Sequence, residues 1–79
     1  MKQATDNASP NLAALRIAEA AVEAAGFTTC PVSSNVSFGR AFACSSERQG
    51  FGAARGPVFT ATVEVETGEI VSTTGVPKP

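Results

Sequence analysis

Two features of this sequence have residue types and spacing that suggest chemistry. One is the pair Cys30 and Cys44; the other is the stretch Arg48-Gln49-Gly50-Phe51-Gly52-Ala53-Ala54-Arg55-Gly56. Cys30 precedes Pro31 and a Ser33-Ser34-Asn35 turn signal, so a chain reversal there carries its thiol towards Cys44. A disulfide between them closes a loop of about fifteen residues, which in the chain-entropy picture stabilises a domain by ~3 kcal/mol. The competing reading is two buried free thiols acting as small hydrophobes. Two cysteines alone leave both open.

In the glycine-rich stretch, Gly50 and Gly52 free the backbone around Phe51, while Arg48 and Arg55 bring positive charge. Backbone N–H groups exposed by glycine can surround a phosphate, and arginines can hold one. The spacing matches neither the dinucleotide nor the P-loop fingerprint, and no helix start follows. Arginine beside phenylalanine also suits single-stranded nucleic acid, with Phe51 as the stacking platform. Two arginines next to Glu47 make a weak electrostatic footprint for such a polyanion. The plain alternative is an inter-strand loop whose Phe51 folds back onto the edge of the core. If any surface binds a ligand, Arg48, Gly50, Phe51, Gly52 and Arg55 are the first candidates.

Other chemistry is poorly supplied. The chain lacks histidine, tryptophan and tyrosine, and so lacks the commonest general base, a common zinc ligand and the usual hot-spot aromatics. Two cysteines without histidine do not complete a tetrahedral zinc site within one chain. Lys2 and Lys78 fall in expected tails, and Glu64, Glu66 and Glu69 gather at a turn where solvated charge is ordinary. No enzyme activity, metal or cofactor is expected.

The elements that must position these residues are legible in outline. With 79 residues there is room for a single domain, expected over residues 9–76. Met1 to Ala8 reads as a disordered tail and Pro77 to Pro79 as a frayed end. Ser9-Pro10 supplies a cap and a first helical residue, Pro10 to Ala25 favours helix throughout, and Gly26 is a left-handed stop. Ala14, Leu15, Ala18, Val22 and Ala25 form its apolar face, flanked by Leu12 and Ile17.

Val36 to Ser45 alternates, with Val36, Phe38, Phe42 and Cys44 on one face. Arg40 falls on that face too, and a bulge at Gly39 is the expected remedy. Ser46 to Pro57 reads as a long loop. Val58 to Val65 is the clearest strand, with Phe59, Ala61, Val63 and Val65 inward. A turn over Glu66-Thr67-Gly68-Glu69 leads into Ile70 to Thr74. The predicted fold is therefore α+β: one N-terminal helix packed on a three-stranded antiparallel sheet, in the order α-β-β-β.

The segment Val63-Glu64-Val65-Glu66-Thr67-Gly68-Glu69-Ile70-Val71 resembles the strand–Thr-Gly–strand ending of PepSY-type domains, as does an alanine-rich helix upstream of the sheet. Those domains are small secreted or membrane-tethered modules linked to inhibition of proteases. The likeness is confined to this hairpin. Glu66 stands where the family has an aspartate and the nearby aromatic is absent, so no functional residue is transferred.

Net charge is −1, which gives no handle on a membrane surface or polyanion, and such near-neutrality favours weak homodimers. No apolar run reaches the length of a membrane span. The low lysine content and the many Ser, Thr and Ala residues lean towards a secreted or periplasmic protein, although a cytoplasmic one fits as well. The expected function is a non-enzymatic interaction module that uses the glycine-rich loop and an open sheet edge to take up a protein or peptide strand. The alternative is a cytoplasmic nucleic-acid accessory protein contacting single strands through Arg48, Phe51 and Arg55.

Overall fold

A computed structural model describes residues 9–79; the expected N-terminal tail lies outside the described residues. Among the described residues one helix, α1 (Pro10–Ala24), is followed by a short 3-10 turn at Pro31–Ser33 and six strands. These are β1 (Asn35–Ser37), β2 (Arg40–Cys44), β3 (Arg48–Gln49), β4 (Gly56–Pro57), β5 (Thr60–Glu64) and β6 (Ile70–Thr74). β1, β2, β5 and β6 make an antiparallel sheet in that order, while β3 and β4 form a separate two-stranded ribbon. The α+β class holds, but four strands and a ribbon stand where three strands were expected.

The helix forms for the reasons its sequence shows. Ser9 Oγ accepts from the Leu12 N–H at 3.1 Å, and Pro10 occupies the first turn. At the far end Gly26 takes φ +98°, with the Gly26 N–H donating to the Glu23 carbonyl and the Phe27 N–H to that of Val22. This is a Schellman closure, and it needs a residue at ease with positive φ. Ala14, Ala18, Val22 and Ala25 are buried, whereas Leu15 is only half-buried and Leu12 and Ile17 are exposed.

The helix lies across β2 and β5 and meets Ala41, Ala43, Phe59, Ala61 and Val63, with Phe27 closing one end. Alanine against alanine lets the two layers approach closely, so the core is thin. Phe27 and Phe59 supply its aromatic mass, their rings stacked with centroids 5.8 Å apart.

The extra strand arises at Phe38-Gly39, where the expected single strand over Val36 to Ser45 turns back on itself. Both residues have positive φ, +52° and +75°, and Ser37 pairs with Arg40 across them. A two-residue hairpin loop with both centres at positive φ matches the right-handed twist of the strands it joins. No bulge is then needed to place Arg40. It lies on the open face opposite Glu64, with Nε 3.4 Å from the carboxylate. The expected inward face of this segment is corrected at the same time. Ala41 and Ala43 face the helix, while Phe42 and Cys44 share the outer face with Arg40.

β5 has the expected orientation, with Ala61 and Val63 buried beside Phe59. Ser45 is completely buried and joins the end of β2 to the approach to β5. Its Oγ accepts from the Val58 and Phe59 N–H groups at 3.0 and 3.1 Å and donates to the Glu47 carbonyl at 3.0 Å. Lys78, placed by its sequence position in a frayed end, donates its backbone N–H to the Ala25 carbonyl at 2.8 Å.

Candidate functional surfaces

The glycine-rich stretch folds into the β3–β4 ribbon. Arg48 pairs with Pro57 and Gln49 with Gly56, and a 3-10 turn at Gly52–Ala54 closes the tip. Gly50 sits against this turn, since a Cβ there would stand 2.9 Å from the Ala54 carbonyl oxygen. Arg48, Gly50, Phe51, Gly52 and Arg55 are all exposed, and Phe51 is 92% accessible. Phe51 therefore points away from the core edge that the plain alternative gave it. Arg55 lies just outside the ribbon, two residues before Pro57, the partner of Arg48. Among the described residues neither arginine makes an ion pair.

The two cysteines meet across a strand junction. Thr29 and Ser45 form an antiparallel bridge, the Cys30 N–H donates to the Cys44 carbonyl at 3.0 Å, and the Ser46 N–H to that of Thr28 at 2.7 Å. Cys30 thus follows the bridged Thr29 and stands beside Cys44 in the same register, joined by that single bond, while its own carbonyl turns to the Ser33 N–H at 3.1 Å and the Ser34 hydroxyl at 3.0 Å. Both are free, half-buried thiols, so no disulfide is formed in this structure. Ser33 touches both. The Cys30 thiol lies 3.6 Å from its hydroxyl, and the Cys44 thiol donates to its carbonyl at 4.0 Å. Hydrogen bonding from the Ser33 side chain, and then from its backbone N–H, holds the Cys30 thiol below its ordinary pKa against the opposing effect of burial. The Val32 N–H and the charge of Arg48 act in the same direction.

The sheet has two edges of different character. On the β1 side the 3-10 turn at Pro31–Ser33 interrupts the neighbour of β2, splitting it into Thr28 to Cys30 and β1. β6 is continuous, pairs among the described residues only with β5, and is exposed at all five residues, including Ile70 at 50% and Val71 at 47%. Ile70 lies opposite Val63 and Thr73 opposite Ala61, which puts both on the helix side of the sheet, where α1 covers β2 and β5.

Sequence reasoning missed Phe38, placed in the core but fully exposed at the tip of the β1–β2 turn. It also missed Glu47, whose carboxylate accepts from the Thr28 N–H at 3.3 Å and from Lys78 Nζ at 3.3 Å. Among the described residues no cluster of side chains could hold a metal ion, and no helix is long and apolar enough to cross a membrane.

No protein-family model matches the chain, and no curated protein or solved structure matches it.

Proposed function

We propose that this chain is a small non-enzymatic interaction module that takes an extended segment of a protein partner as an added strand along β6. The observation that carries the reading is the asymmetry of the two edges: β1 is short and interrupted, whereas β6 offers five exposed residues with one side unpaired among the described residues. Unpaired strand N–H and C=O groups form a template for another chain.

Side chains supply selectivity. Ile70 stands on the helix side of the sheet, and Ile17 of the helix reaches the preceding turn, 3.5 Å from where a Cβ on Gly68 would be. An added strand with apolar residues at alternate positions covers this strip. Glu66 and Glu69, at the hairpin end, favour a basic residue in the partner. The register shift opposite Thr62 and Val63 twists the edge and works against indiscriminate pairing with flat strands.

The test uses 15N-labelled protein and a soluble probe peptide of alternating valine and threonine with a lysine at each end. Saturable amide shifts confined to Ile70–Thr74 and their β5 partners, and lost in Val71→Lys/Thr73→Lys, are expected. No shift along β6 at millimolar peptide would sink the reading.

The exposure of Phe51 beside Arg48 and Arg55 favours a second reading, contact with single-stranded nucleic acid through the ribbon. Oligonucleotide binding that weakens steeply with salt and disappears in Phe51→Ala would put this reading first.

A further inference from the structure

The thiols of Cys30 and Cys44 have no part in strand addition, yet the fold brings them together from positions far apart in sequence. We propose that Cys30 and Cys44 form a thiol–disulfide exchange site, in which Cys30 attacks a disulfide-bearing substrate and Cys44 resolves the mixed disulfide.

The geometry carries this in three steps. First, neighbouring residues facing each other across an antiparallel pairing have Cα atoms ~4.5–5.5 Å apart and side chains on one face. That separation falls within the ~4.4–6.8 Å that disulfides span. The Cys30–Cys44 backbone bond of 3.0 Å and the flanking Ser46–Thr28 bond of 2.7 Å fix the register. Secondly, the two thiols share one neighbour: the Ser33 hydroxyl lies 3.6 Å from the Cys30 sulfur and the Ser33 carbonyl 4.0 Å from the Cys44 sulfur, so both side chains converge on the same residue.

Thirdly, the two thiols differ. Cys30 has the Ser33 hydroxyl 3.6 Å away, and that hydroxyl becomes a donor once the sulfur is a thiolate. The Val32 and Ser33 N–H groups and the charge of Arg48 also favour a Cys30 thiolate, while Cys44 faces a carbonyl oxygen. Cys30 is therefore the attacking sulfur. Both residues are half-buried, which leaves them open to a small disulfide.

The exchange balances without any other oxidant. The Cys30 thiolate forms an S–S bond to one sulfur of the substrate disulfide and expels the other as a thiolate, which takes up a proton. Cys44 then loses its proton and attacks Cys30 Sγ, releasing the second substrate thiol. Two protein thiols become one disulfide as the substrate disulfide is reduced to two thiols.

The reduced protein is treated with oxidised glutathione and followed by intact mass and peptide mapping. The parent is expected to lose two hydrogens and retain no glutathione, and mild dithiol treatment should restore it without unfolding. Cys44→Ser should trap one glutathione on Cys30. In Cys30→Ser, modification of Cys44 should be at least about fivefold slower, and Ser33→Ala should slow the Cys44→Ser adduct and move its pH midpoint upward. The proposal is overturned by a stable glutathione adduct on the parent, by equal rates at the two cysteines, or by a bridge that opens only in denaturant. It is equally overturned if neither thiol reacts while the amide spectrum shows a folded protein.

Discussion

Glu47 and Lys78 are separated by 31 residues, yet the ammonium of one lies 3.3 Å from the carboxylate of the other. The same lysine ring-stacks by charge on Phe27, with Nζ 5.1 Å from the ring centroid, and its backbone N–H closes the helix end at Ala25. The C-terminal segment is therefore tied to the helix, to Phe27 and to the chain between β2 and β3. Because the pair is solvent-exposed, Lys78→Ala should lower the melting temperature by only about one to a few degrees. Removing Pro77 to Pro79 should cost more, because the Ala25 carbonyl also loses its partner. A truncated chain that melts no lower than Lys78→Ala would show that the backbone bond contributes nothing. Thermal denaturation by circular dichroism measures both.

Glu47 also sets a pH dependence. Partial desolvation works against its charge, but the Thr28 N–H and Lys78 prevail and hold its carboxyl below the ordinary value of 4.5. A group depressed in the folded state contributes stability that is fully present above its unfolded pKa and is lost as pH falls through the folded value. The parent should therefore lose stability on acidification below pH 4.5, the ordinary value. Glu47→Gln should be less stable at neutral pH and lose less on acidification. Urea denaturation at a series of pH values tests this, and parallel curves for the two proteins would count against the assignment.

Ser45 is the most demanding polar position. Its hydroxyl is the acceptor for the N–H groups of both Val58 and Phe59, in a place water does not reach. Ser45→Ala leaves the buried Phe59 N–H unpaired, while the Val58 N–H keeps the Glu47 carbonyl at 3.0 Å, and should cost roughly 1–3 kcal/mol, each kilocalorie worth ~4–8 °C in a domain of this size. The exposed neighbour provides the control, since Ser46→Ala should stay within about 0.5 kcal/mol of the parent. Chemical denaturation of the two variants side by side separates a buried hub from a generic loss of hydroxyl.

Phe59 and Leu15 test how thin the core is. Phe59 is 5% exposed and stacked on Phe27, so Phe59→Ala should cost ~3–5 kcal/mol and approach the whole stability of the fold. Leu15 packs against the core only from its margin, so Leu15→Ala should fall below the ~2 kcal/mol lower bound typical of buried leucines. Denaturant midpoints would contradict this packing if the two losses were equal.

The same packing explains which parts of the fold the sequence revealed. The helix has both of its end signals, Ser9-Pro10 and Gly26, and β5 buries Phe59, Ala61 and Val63 in strict alternation. β2 alternates just as strictly, but its large residues, Phe42 and Cys44, are on the open face and its alanines are inside. Reading for large apolar side chains inverts such a strand, because close helix packing selects for smallness rather than bulk. The turn before it lacks the Asn-Gly or Asp-Gly that announces a two-residue hairpin. Of the candidate sites, the chain reversal at Ser33-Ser34-Asn35 that carries Cys30 towards Cys44 was legible from local turn residues, whereas the expected long loop over Ser46 to Pro57 pairs as a ribbon and the two thiols are free. Ser45, and the Glu47–Lys78 contact, depend on partners distant in sequence and carry no periodic signal.

Phe38 presents the sharpest conflict between fold and residue. Its φ of +52° belongs to a region where a side chain with a Cβ costs ~1–2 kcal/mol, and its ring is fully exposed, so packing does not compensate. Gly39, beside it, meets nothing within 4 Å at its Cβ position, so the turn is held by its backbone and not by crowding. Asparagine tolerates this conformation better, and Phe38→Asn should raise the melting temperature by several degrees. Thermal denaturation by circular dichroism checks this. If Phe38→Asn instead lowers the melting temperature, the ring packs on the protein and offsets the strain at the turn.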